Sequence, residues 1–279
     1  MKKNIISGLL GALISIGMFA LVYFFLDQSQ IDKFFPRTKL EGLIYFPSII
    51  IAPIFAIAIH EFGHLITGIT LGQKFKLFVV AFIGVEEVQG KIKLFLNRNL
   101  AHFGGVVAVV PKSVNEIDYR VFAKVLIAGP IASLLYGVVC LLIYFKNDTF
   151  CNSFFGLTSL TSLGLFLATT IPNKSGIMYT DRKRYQRLHK KGVIRDAEIS
   201  LYHITSQSII ENSFKNIDLT MTYTLEKVDE IEMKFLAEYV RYQYFKANEL
   251  EEESIESKSK LINFRKNVGE SIWSALKIE

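Results

Sequence analysis

The stretch Leu43–Leu71 is almost free of charge and long enough to cross a bilayer, yet it carries His60-Glu61-Phe62-Gly63-His64. A lipid-buried backbone must satisfy its own polar groups, so a helix is expected there. On a helix the histidines stand at i and i+4, and both imidazoles leave from one face. That spacing suits two ligands of a tetrahedral Zn²⁺, with Glu61 placed to act as a base on the attacking water. The bland alternative is two histidines bonded to each other or to carbonyls inside a bundle. Ionisable groups are costly at membrane depth, and three so close together favour a metal site over packing.

Of the 279 residues 51% are hydrophobic and 21% charged, a mixture expected of a membrane protein with a water-exposed portion. Four runs are nearly uncharged: Asn4–Leu26, Leu43–Leu71, Val121–Phe145 and Phe154–Ile171. Each is read as a spanning helix, the last being the shortest and rich in Ser and Thr. Pro47 and Pro53 predict a kink or a broken first turn in the second run. The first run is too long for a typical signal-peptide core and is read as a retained helix, with Gly8, Gly11 and Ser15 as a close-packing face.

Lysine and arginine set the expected orientation. Lys2 and Lys3, the segment Lys74–Arg120 and the cluster Arg182–Lys191 outweigh Lys33, Arg37, Lys39 and Lys146 on the opposite side. Both termini are therefore predicted to be cytoplasmic. The net charge of +6 follows from this bias and points to lipid headgroups of the bilayer; no nucleic-acid partner is expected. His60 then lies about 25 Å along the helix from Leu43, below the cytoplasmic surface.

Between the second and third spans, Phe75–Phe82 and Lys91–Leu96 have strand composition, with Gly84 and Gly90 flanking a turn. The expectation is an interfacial β-hairpin over about residues 74–98. It is either an ordinary surface hairpin or an edge that pairs with an extended substrate segment. Gly129-Pro130 in the third span predicts a kink, or a close approach to the histidine helix through its small residues. A third metal ligand must come from elsewhere. Asp181, after the last span, is the strongest candidate, although Thr180-Asp181 before Arg182-Lys183-Arg184 also resembles a helix N-cap.

The pentad in a membrane helix, a later Gly-Pro helix, and then Pro172 and Asp181 after another helix resemble the site-2 protease family, peptidase family M50. The resemblance covers roughly Leu43 to Asp181. It implies an intramembrane zinc metalloprotease with a three-helix core: His60, His64 and Asp181 as ligands of Zn²⁺, and Glu61 as catalytic base. It also implies a membrane-inserted protein or peptide as substrate, and a bacterial cell membrane. Departures from the family pattern are Ser133 and Thr169 where Asn is usual, Arg182 where Gly usually follows the aspartate, and a longer gap from Pro172 to Asp181.

From Arg182 the composition is that of a soluble protein. Helical spacing runs over Ala197–Glu211, Leu219–Glu249 and Glu252–Trp273, and Ala197-Glu198 with Tyr202 recurs as Ala237-Glu238 with Tyr242. The expected fold is an all-α polytopic membrane protein of about four spanning helices, with a small β-hairpin. Its parts are an N-terminal helix (1–30), a membrane-embedded core (31–181) and a cytoplasmic helical domain (182–279) open to a regulatory protein. Cys140 and Cys151 suggest no disulfide framework, and His102, His189 and His203 are read as surface or packing residues. The leading function is hydrolysis of a peptide bond in or near a membrane-inserted segment. The alternative is a catalytically degenerate protein of the same fold that binds a membrane peptide or a regulatory partner.

Overall fold

The computed structural model describes residues 27–146, 151–175 and 177–268, together with 273, 276 and 278. The first predicted span, Asn4–Leu26, lies outside the described residues. Three described helices are long and apolar enough to cross a membrane: Lys39–Thr70, Tyr119–Lys146 and Asn152–Thr170. With the short helix Gln28–Asp32 as α1, these are α2, α3 and α4. Helix α2 has 32 residues, about 48 Å at 1.5 Å per residue, and stays helical through both Pro47 and Pro53. Its outward surface is apolar, with Phe46, Ile50, Phe55, Phe62 and Ile66 exposed. In water such a surface would be unfavourable; against lipid tails it is the expected one.

By contact the chain falls into two compact units, one of residues up to Ala56 with Ser133–Phe166, the other of Ile57–Ala132 with Leu167–Glu279. In the first, Gly137 lies against Leu163 and accepts a hydrogen bond from the Ser159 hydroxyl at 2.9 Å. The small and hydroxylated residues of α4 thereby serve the packing of α3 on α4. The Tyr144 hydroxyl donates to the Gln30 carbonyl at the other end of α3.

The second unit holds a four-stranded antiparallel sheet in the order β3-β2-β1-β4, from β1 (Lys74–Val80), β2 (Ile83–Val88), β3 (Lys91–Leu96) and β4 (Val106–Val110). The predicted two-stranded hairpin is thus corrected in two ways. The segment around Gly84, expected as a turn, is a strand, and Val106–Val110 adds a fourth. Gly84 is needed under its cross-strand partner Phe95, whose ring would lie 2.2 Å from a Cβ placed there. The true turn is Gln89-Gly90, where both residues have positive φ. Lys76 and Glu87 pair across β1 and β2, which lets a strand with two adjacent glutamates sit in the sheet.

After α4, a two-stranded hairpin pairs β5 (Lys174–Ser175) with β6 (Met178–Tyr179). Among the described residues five helices follow: α5 (Asp181–His189), α6 (Val193–Glu211), α7 (Thr220–Glu226), α8 (Ile231–Ala247) and α9 (Glu251–Val268). The helix expected over Leu219–Glu249 is interrupted at Lys227–Glu230. Leu201, Ile204, Leu225, Met233, Phe235 and Leu261 form the buried core. The recurring glutamates Glu198 and Glu238 are both buried, held by arginines rather than by solvent.

Candidate metal centre

On α2 the pentad's two faces separate sharply. His60, Glu61 and His64 are buried, whereas Phe62 points outward and is exposed. The 100° step per residue causes this: positions 60, 61 and 64 share one side, and 62 falls opposite. Gly63 lies where α2 meets α3. A Cβ there would come within 2.6 Å of the Ala132 Cβ and 2.7 Å of the Ala128 carbonyl oxygen. The glycine inside the pentad therefore permits close helix packing, as small residues do in membranes.

Helix α3 supplies the next contacts. His64 Nδ1–H donates to the Val125 carbonyl at 2.6 Å, which leaves Nε2 with its lone pair directed inward. Gly129 lies directly under the same ring, and a Cβ there would stand 2.2 Å from His64 Nε2. The small residues around Pro130 thus bring α3 close to the histidine helix, and one of them forms a wall of the site.

Asp181 is the first residue of α5, with Thr180 at the N-cap position. The long gap after Pro172 is taken up by the β5–β6 hairpin. The Thr180 N–H donates to the Asn173 carbonyl at 3.0 Å, and the Thr180 hydroxyl donates to the Ile171 carbonyl at 3.2 Å. The hairpin loops out and the chain returns to its starting point, so Asp181 follows closely on the end of α4. Asp181 Oδ2 lies 3.3 Å from His60 Nε2 and 3.5 Å from His64 Nε2, and the two Nε2 atoms are 3.3 Å apart.

Three donor atoms forming a nearly equilateral triangle could hold a metal ion. Tetrahedral zinc with bonds of about 2.0–2.1 Å places its ligand atoms about 3.3 Å apart, and two imidazoles with one carboxylate are donors it accepts. The triangle fits that ion. Residues 48–258, most of the chain, match peptidase family M50. The chain belongs to peptidase family M50. Comparison with curated proteins and with solved structures finds no match. Membership of this site-2 protease family, with three helices fit to cross a bilayer, makes the chain a membrane protein of an intramembrane metalloprotease family.

Two features of this M50 site were not evident from local sequence. Gly105, with φ +94°, lies over Glu61, and a Cβ there would be 2.6 Å from the Glu61 Oε1. This glycine immediately precedes β4, an edge of the sheet. The only signal was the pair Gly104-Gly105 before a valine-rich run. The second feature is the Val125 carbonyl, which no side-chain pattern could have indicated. His102, His189 and His203 stay outside the triangle, and His189 Nδ1 donates to the Tyr185 carbonyl at 2.8 Å.

Proposed function

We propose that this chain is an intramembrane zinc endopeptidase in which His60, His64 and Asp181 hold the metal and Glu61 is the base. The observation that carries the reading is the triangle of donor atoms, 3.3–3.5 Å on each side, formed by residues from two distant parts of the chain. Zinc held there would supply Lewis acidity to the scissile carbonyl and to water. Glu61 takes a proton from water as its oxygen adds to the carbonyl carbon. It returns that proton to the nitrogen as the C–N bond breaks, leaving a carboxylic acid and an amine. The edge of β4 fits an extended substrate segment, because Gly105, the residue just before the strand, lies against the Glu61 carboxylate. Orientation with both termini in the cytoplasm, in a bacterial cell membrane, belongs to the same proposal.

Zinc per chain, measured on the full-length protein in detergent, tests the assignment. Near-stoichiometric metal is expected in the wild type and in Glu61→Gln, with a large loss in His64→Ala and Asp181→Ala. A wild type that holds no zinc would overturn the reading and favour a degenerate peptide-binding protein. Retention of zinc by Asp181→Ala would move the third ligand elsewhere.

A further inference from the structure

Helix α5 presents Asp181 to the histidines but has little means of fixing its own position. It has nine residues, and isolated helices of fewer than about 12 residues are marginal in water. Arg182, Lys183, Arg184 and Arg187 make it strongly basic, and Leu188 is its one buried apolar side chain. Its placement must come from tertiary contacts. On one side Leu188 packs with Ala123 and Leu126 of α3. On the other, two arginines of α5 converge on Glu198 of α6, which is wholly buried.

We infer that Glu198 is a positioning residue for the metal centre, holding Asp181 in place through Arg184 and Arg187. This rests on Asp181 being a ligand, as proposed above. The Arg184 Nε–H donates to Glu198 Oε1 at 2.7 Å and the Arg187 Nε–H donates to Oε2 at 2.9 Å, so one carboxylate is shared by two points a turn apart on α5. Arg187 also donates from Nη1 to both oxygens of Glu230 at 2.9 Å. Glu230 accepts in turn from the Tyr179 hydroxyl at 2.5 Å. Tyr179 precedes Asp181 by two residues, and the arginines follow it by three and six. The network therefore grips the chain on both sides of the carboxylate.

The charges balance, two guanidiniums against two carboxylates. A buried ion network is a weak source of stability compared with apolar packing, but it tolerates little displacement, because each broken contact leaves a buried charge. Groups that bond a metal ligand directly are typically worth about 10–100-fold in metal affinity, and this network acts on Asp181 through the helix that carries it. Arg241 offers an internal comparison. It pairs with Glu226 and Glu238 inside the same helical region, and also meets Thr222 and the Tyr223 ring.

The test compares the full-length chain with Glu198→Gln, Glu230→Gln, Glu226→Gln and Asp181→Ala, by zinc affinity in chelator competition and by the visible spectrum of the Co²⁺-loaded protein. Glu198→Gln and Glu230→Gln should weaken zinc binding about 10–100-fold and alter the Co²⁺ spectrum. Glu226→Gln should lower the melting temperature and change neither metal readout. If Glu198→Gln does not fold, Glu230→Gln, which alters the more exposed partner, carries the comparison. Metal binding within about twofold of wild type in both network variants, while Asp181→Ala loses the metal, would overturn the inference and leave the ligand assignment standing. Equal weakening by Glu226→Gln would also overturn it, by showing a general stability effect. Full zinc retention by Asp181→Ala would overturn the ligand assignment itself, and the inference with it.

Discussion

Gly129 lies so close beneath His64 that a Cβ at residue 129 would stand 2.2 Å from Nε2. The ring is also pinned by its hydrogen bond to the Val125 carbonyl, so it cannot swing away without losing that partner. Gly129→Ala should therefore displace the imidazole and weaken zinc binding by at least about tenfold, as read by chelator competition. Unchanged affinity would mean that the ring has room the structure does not indicate.

Glu61→Gln keeps the shape of the side chain and removes its ability to take a proton. Turnover should fall by about 10²–10⁴-fold while zinc stays bound. New peptide termini in membrane proteins of cells expressing the wild type, and their absence with Glu61→Gln, would register the difference. Equal cleavage by the two proteins would remove Glu61 as the base.

Gly63→Val tests the helix crossing. A side chain there meets the Ala128 backbone and the Ala132 Cβ at under 3 Å, so α2 and α3 must separate. A cost of about 1–3 kcal/mol is expected, seen as a lower melting temperature in detergent. An unchanged melting temperature would contradict the close approach.

A pH effect is expected in the helices that follow the candidate spans. The hydrogen bond from Arg241 depresses the Glu226 carboxyl below its ordinary value of 4.5. A depressed folded-state value means that the stabilisation is present above the unfolded value and is lost as pH falls through the folded one. The difference in melting temperature between wild type and Glu226→Gln should therefore be full at neutral pH and shrink below about pH 4. A difference that grows with acid would reverse the assignment.

Some of these relationships were legible in the residues alone. The apolar runs after Asp27 become the three long helices because length and hydropathy are local properties. The β-sheet was only half visible. Gly84 and the adjacent Glu86 and Glu87 mask a strand, and their reasons, Phe95 across the pair and Lys76 beside it, lie on other strands. In the same way Lys227–Glu230 carries helical periodicity, yet the helix breaks there and Glu230 meets Arg187.

That His60 and His64 share a face follows from their local spacing alone. The helical repeat puts i and i+4 side by side whatever the rest of the chain does, and hydropathy put that face on a membrane-length helix. What meets them depends on how distant segments pack. Asp181 is 121 residues from His60. It arrives because a hairpin closes the chain at Asn173 and Thr180, α3 comes close at Gly129, and Arg184 and Arg187 tie α5 to Glu198. Those contacts depend on the distance between residues far apart in sequence, which no local pattern of side chains encodes.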